Sequence, residues 1–156
     1  MGSSNHQITK SSNHEIIKSS NHQITKSPNY QIMNIPNNYQ TVMPYLIIDR
    51  AVKFIEFTQK VFNATENEKN RSMRSDNIIR HGEIFIGGST IMFADSTEEF
   101  KPRTAGFFIY VENADETYKK ALTEGATAIS EVDDHPYGRS GGIIDPFGNT
   151  WWITSC

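Results

Sequence analysis

At 156 residues the chain has room for one ordinary domain and a short extension, and its formal charge of −3 without a Lys/Arg cluster excludes a reader of phosphate backbones, so no nucleic-acid partner is expected. Its one cysteine, Cys156, excludes an intrachain disulfide and any CxxC site, which favours a reducing, cytoplasmic setting. No apolar stretch approaches the roughly 20 residues of a membrane helix, and Met1 to Lys10 lacks the apolar core of a signal peptide, so no membrane partner is expected.

The chain opens on an array. Residues 3–34 divide into four units of eight: SSNHQITK, SSNHEIIK, SSNHQITK and a decayed SPNYQIMN. One or two isoleucines per unit cannot offset the entropy of ordering so much Ser, Asn, Gln and Lys, so residues 1–34 are expected to form a flexible arm. The period would place His6, His14 and His22 on one side of an extended strand, which leaves metal binding or pairing with a partner subunit as further possibilities. Composition then shifts. Only ten of the first 40 residues are apolar or aromatic, against 47 of the remaining 116, and every Phe and both Trp lie in the later part. The core belongs to residues 35–156.

From Thr41, TVMPYLIID reads as a buried strand. AVKFIEFTQKVFN follows with Phe54, Phe57 and Val61 at helical spacing and is expected to end near Asn63. A strand across Asn70 to Met73 precedes NIIRHGEIFIG and STIMFAD, joined as a hairpin through Gly87 and Gly88. After a loop with Pro102 the pattern restarts: strand AGFFIYVE, helix NADETYKKALTEG, and strands ATAISEV, SGGIIDP and NTWWITS. The junctions Asn63-Ala64-Thr65 and Gly125-Ala126-Thr127 each lie between an amphipathic helix and a strand. The expectation is therefore an α+β domain of two βαβββ modules, about 41–98 and 104–156, forming a curved, barrel-like mixed sheet with helices outside. A two-layer α/β sandwich with a coincidental repeat is the alternative.

Four segments in order carry a family resemblance: IPNNYQTVMPYLIIDRAVKFIEFTQKVFNA, RHGEIFIGGSTIMFAD, FIYVENADETYKKALTEGA and PYGRSGGIIDPFGNTWWI. The most specific element is the turn Asp145-Pro146-Phe147-Gly148-Asn149 before the last strand. The chain resembles the vicinal oxygen chelate superfamily, which includes glyoxalases, bleomycin resistance proteins and extradiol dioxygenases, and within it the PhnB-like branch. The resemblance implies a homodimer whose chains complete each other's cavities. It also implies a divalent metal held by His, Gln or Glu at four inward-facing strand positions. Those positions fall at Met43, Met92, Gly106 and Trp152 in this chain, and none supplies a hard ligand. No metal and no other cofactor is therefore expected there. Methyl transfer, a label attached to some of the branch, has no glycine-rich nucleotide loop here to support it.

What remains is a pocket of aromatic and thioether side chains. Met43, Tyr45, Phe93 and Trp152, with Met92, are expected to line it, with Tyr137 and Arg139 at its mouth. The guanidinium of Arg139 could hold a carboxylate, phosphate or planar ring. His81 and Glu83, two apart on a strand, share a face and are candidates for ligand contact, acid/base work or an unorthodox metal site; a hydrogen-bonded structural histidine competes with these. His135 with Asp133 and Asp134 is a second such group. The leading expectation is a metal-free protein that binds an aromatic or cationic small molecule, with sequestration, as in resistance proteins, the use that the resemblance implies. An enzyme of the same superfamily using His81 and Glu83, and an interaction protein acting through its repeat arm, are the alternatives.

Overall fold

A computed structural model of the chain describes residues 34–156; the expectations about the repeat arm, His6, His14 and His22 included, lie outside the described residues. The elements in order are β1 (Tyr45–Ile48), α1 (Ala51–Phe62), β2 (Thr65–Glu66), a 3₁₀ turn (Glu68–Asn70), β3 (Ser72–Ser75), β4 (Ile78–Ile86) and β5 (Ser89–Asp95). The second series is β6 (Gly106–Tyr110), α2 (Ala114–Thr123), β7 (Thr127–His135), β8 (Gly138–Ile144) and β9 (Thr150–Ser155).

The two series share one topology. β1 runs parallel to β5, β5 pairs antiparallel with β4, and β4 takes β2 and β3. In the same way β6 runs parallel to β9, followed antiparallel by β8 and β7. The α+β fold of two βαβββ modules is thus the one the chain adopts. The sheet itself needs a correction, because the strands form two curved sheets of five and four strands instead of one continuous surface. At the junction, the edge of β1 is engaged by the linker: Ile47 and Arg103 exchange backbone hydrogen bonds of 3.1 and 2.7 Å. β1 also starts four residues later than expected. Pro44 has no N–H for a ladder, although its carbonyl accepts from Met92 N at 3.0 Å.

Capping comes from unlike sources. α2 begins at Asn113, whose side chain accepts from Glu116 N, with Asp115 and Glu116 in the first turn where the helix dipole favours negative charge. α1 has Arg50 at its N-cap, in the left-handed region at φ 60°, and gains no bond from that side chain. The missing acceptor is supplied from β5. Asp95, buried, accepts from Ala51 N at 2.9 Å and from Ile79 N at 2.6 Å, tying the starts of α1 and β4 to the end of β5. In module two the corresponding acceptor is Ser155 at the end of β9, whose Oγ accepts from Ala114 N at 3.3 Å, and the buried carboxylate is Asp145, after β8. It accepts from Phe147 N, Asn149 N, Asn149 Nδ2 and Trp151 Nε1, all at 2.8–2.9 Å, while Gly148 takes the φ of +92° that the reversal requires. The signature turn is a structural clasp.

Strand alternation decides which face of each sheet is covered. Leu46, Ile48, Ile84, Ile91 and Phe93 of the first sheet, with Ile143, Trp151 and Ile153 of the second, join α1 and α2 in a single core. Trp151 stacks on Phe107 at 4.3 Å and packs against Phe62 of α1 at 4.5 Å, and Phe147 meets Phe54 and Phe57 edge-on. Module one is thereby packed onto module two. Among the described residues no helix lies on the opposite face of either sheet. Those two open faces carry the exposed aromatic side chains and the Glu83 cluster.

Candidate functional site

The open face of the second sheet is aromatic. Phe108, Tyr110, Tyr137 and Trp152 are each between 41% and 66% exposed, and Ile129 and Ile144 lie exposed beside them. Phe108 and Trp152 are register partners on β6 and β9, so their side chains are neighbours on one face. Phe108 also meets Tyr110 edge-on at 5.3 Å and Tyr137 at 6.1 Å. Gly142 gives this face its flatness: a Cβ there would lie 2.6 Å from Trp152 Cζ3 and 3.0 Å from Ile129, so the indole rests directly on the backbone of β8. Tyr110 was absent from the expected set, although the alternation Phe108, Tyr110 in GFFIY places the two on one side.

The open face of the first sheet is polar at its centre. Glu83 on β4 is 2% exposed, yet it is surrounded by donors. Tyr39 OH donates to both its oxygens at 3.0 and 2.8 Å, Asn67 Nδ2 donates at 2.8 Å, and Asn70 Nδ2 reaches both oxygens at 3.2 Å. His81 Nε2 lies 3.0 Å from Glu83 Oε1, and His81 Nδ1 lies 3.1 Å from the hydroxyl of Tyr45. Burial acts to raise the Glu83 pKa, but the hydrogen bonds from His81, Tyr39, Asn67 and Asn70 outweigh it and hold the carboxyl below its ordinary value. The chain Glu83–His81–Tyr45 runs from the interior to a half-exposed phenol, whose own pKa is raised by burial.

Several expected site residues fall elsewhere. Phe93 faces the core, fully buried and edge-on to Phe54 at 5.3 Å; its β5 neighbour Met92 takes the open face, opposite Tyr45. Arg139 does not stand at a mouth. It faces α2, donating to Asp115 at 2.5 and 2.8 Å and to Asp134 at 3.1 Å. The Arg139 guanidinium holds Asp115 below the usual carboxylate range, and the pKa of Arg139 is raised by Asp115 and Asp134. Arg139→Ala is therefore expected to lower the melting temperature while leaving ligand affinity unchanged, which paired thermal melts and titrations would check. Met43 lies partly buried in the lead-in to β1, and Tyr137 sits in the β7–β8 turn with its ring parallel to His135 at 5.1 Å. His135, Asp133 and Asp134 do not converge: His135 stacks, and Asp134 serves Arg139.

The positions at which the resemblance implies a metal do not fit a cation. Met92, Gly106 and Trp152 occupy open-face positions by register, Met43 precedes the strand, and thioethers, glycine and indole do not bind hard divalent ions. His81 and Glu83 do not substitute for them, because both ring nitrogens and both carboxylate oxygens are committed to protein hydrogen bonds. Among the described residues no group of three or more His, Cys, Asp or Glu is placed to hold a metal ion. A cleft of about 560 Å³ lies at the seam between the modules, lined by Val61–Asn63, Ile109–Asn113 and the first turns of α2, and it holds none of the expected site residues.

Comparison with known proteins agrees with this architecture. The chain is 30% identical over 120 residues to uncharacterised proteins of Mycobacterium bovis and Mycobacterium tuberculosis, covering 69% of this chain and 78% and 69% of those proteins. Among solved structures it shares its fold with TioX from Micromonospora sp. ML1 (TM-score 0.59, 19% identity, 75% of this chain and 96% of that one). It does so too with a PhnB protein from Bacillus cereus (TM-score 0.58, 16% identity, 75% and 100%). A family member from Burkholderia phytofirmans PsJN gives a TM-score of 0.59 at 20% identity, covering 77% and 98%. Residues 40–153 match the model of one family, and the chain belongs to the glyoxalase/bleomycin resistance protein/dioxygenase superfamily.

Proposed function

We propose that the chain is a metal-free small-molecule binding protein of this superfamily, and that the open aromatic face of its second sheet holds a planar ligand. The observation that carries this reading is the exposed cluster Phe108, Tyr110, Tyr137 and Trp152 on one face of a sheet. Such a cluster costs solvation in an isolated chain and gains when a flat apolar molecule stacks on it. A second copy of the chain is the proposed cover. Among the described residues both sheets leave a face without a helix, and apposing the first-sheet face of one copy to the second-sheet face of another would enclose a ligand between them. No helix among the described residues is long and apolar enough to cross a membrane, and the setting we propose is the cytoplasm.

Tryptophan fluorescence tests the reading, since Trp152 is exposed and Trp151 buried. Titration with planar aromatic compounds is expected to quench the Trp152 contribution, and Trp152→Ala to weaken binding about tenfold or more. Saturable binding that is indifferent to both Trp152→Ala and Phe108→Ala would place the ligand elsewhere. Light scattering would report the dimer, and a strict monomer at all concentrations would remove the cover.

A further inference from the structure

We infer that the open face of the first sheet carries a recognition site for a protonated amine, with the Tyr45 hydroxyl oxygen as its acceptor. The direction of each hydrogen follows from the groups in contact. Glu83 is a carboxylate surrounded by donors, and an ionised carboxylate can only accept. His81 Nε2 must therefore carry the hydrogen in its 3.0 Å contact with Oε1. In the neutral ring Nδ1 is then an acceptor, so the hydrogen in the 3.1 Å contact with Tyr45 belongs to the phenol.

The consequence appears at the surface. Tyr45 spends its only hydrogen inward and is left with oxygen lone pairs on a side chain that is 49% exposed. A ligand meeting it must bring the hydrogen. Sign of charge follows from the same cluster, because Tyr39, Asn67 and Asn70 are neutral donors to Glu83, and His81 in its neutral form adds a fourth without positive charge. In that form no cation among the described residues contacts the buried carboxylate, and the hydrogen-bonded chain relays its polarity to Tyr45. A donor that is also a cation meets both requirements, with Met92 opposite Tyr45 as an apolar flank and the phenol ring available for cation–π contact.

Tyr39, Asn67 and Asn70 already satisfy both oxygens of Glu83, so the carboxylate does not need His81 and Tyr45 in order to be buried. Their addition is what carries its polarity to the surface. This inference names the charge of the ligand whose aromatic part the second sheet is proposed to hold, and to that extent it rests on that reading.

The test uses the full chain and three probes of one shape: phenethylamine, phenethyl alcohol and phenylacetate, each titrated by NMR. Phenethylamine is expected to bind about tenfold more tightly than phenylacetate, with the alcohol between them, and Tyr45→Phe to abolish that order. Long-range ¹H–¹⁵N spectra are expected to show His81 as the Nε2–H tautomer. An equal or reversed order, a preference that survives Tyr45→Phe, or a proton on Nδ1 in the free neutral protein would overturn the inference. Binding of planar aromatics that depends on Trp152 while amine and acid bind alike would sink the inference alone. Loss of all Trp152-dependent binding, with the amine preference at Tyr45 intact, would sink only the earlier reading. A thermal melt of Tyr45→Phe confirms that the half-exposed substitution leaves the fold in place.

Discussion

Trp151→Ala is expected to destabilise the domain by about 3–5 kcal/mol, the range for removing a large aromatic from a packed core. Trp151 is 1% exposed, stacked on Phe107 and tilted against Phe62. Truncation would open a cavity at the point where α1 of the first module meets the second sheet. The polar loss is the smaller part, because Asp145 keeps its bonds from Phe147 N, Asn149 N and Asn149 Nδ2 when the indole N–H is gone. Its sequence neighbour is the control. Trp152 points to the open face and packs on Gly142, so Trp152→Ala should change stability by less than about 1 kcal/mol while removing ligand contact. Urea unfolding of both variants decides the matter. Equal losses would mean that the two faces of β9 have been assigned wrongly.

Glu83→Gln should cost about 1–3 kcal/mol at neutral pH, although it changes neither size nor shape. The amide would replace one accepting oxygen by a donor inside a ring of donors from Tyr39, Asn67, Asn70 and His81, so at least one buried N–H or O–H loses its partner. The pH dependence has a definite sign. Glu83 has a lower pKa in the folded chain than its ordinary value, so its contribution is complete above the unfolded pKa of about 4.3 and is lost as pH falls through the folded value. The gap between wild type and Glu83→Gln should accordingly be flat near pH 7 and close on acidification below that unfolded value. Urea midpoints measured down to strongly acidic pH would show it. A gap that widens toward acid would mean that Glu83 is protonated in the folded chain at neutral pH.

How much of this was legible in the sequence depends on the range of the interaction. The helices and strands of each module are written in local periodicity, and α1 ends at Phe62 with Asn63 as a left-handed cap, close to where its apolar spacing stops. Strand phase was harder. STIMFAD is apolar at both parities, so alternation alone could not decide whether Met92 or Phe93 faces the core, and Phe54 of α1 settles it by packing on Phe93. His81 and Glu83 were legible as a pair sharing a face. The donors that hold Glu83 were not, since Tyr39 lies 44 residues away and Asn67 and Asn70 lie 16 and 13 away. Polar contacts at such separations leave no period. Arg139 misled for the same reason, its partner Asp115 being 24 residues distant on α2.

The parallel pair at one end of each sheet bears on how the chain reaches this state. Tyr45 is matched with Met92 and Gly106 with Thr150, so each sheet closes only when residues more than forty positions apart have met. Pairing of that kind is slow, since the entropy of the intervening loop is lost before the contacts repay it. Until β9 docks, the strip holding Phe108 and Tyr110 waits beside an unpaired edge, which is the combination that draws partly folded chains into association. Refolding yield should therefore fall as protein concentration rises, and the same aromatic residues that suit the finished protein to a ligand would set the dilution at which it folds cleanly.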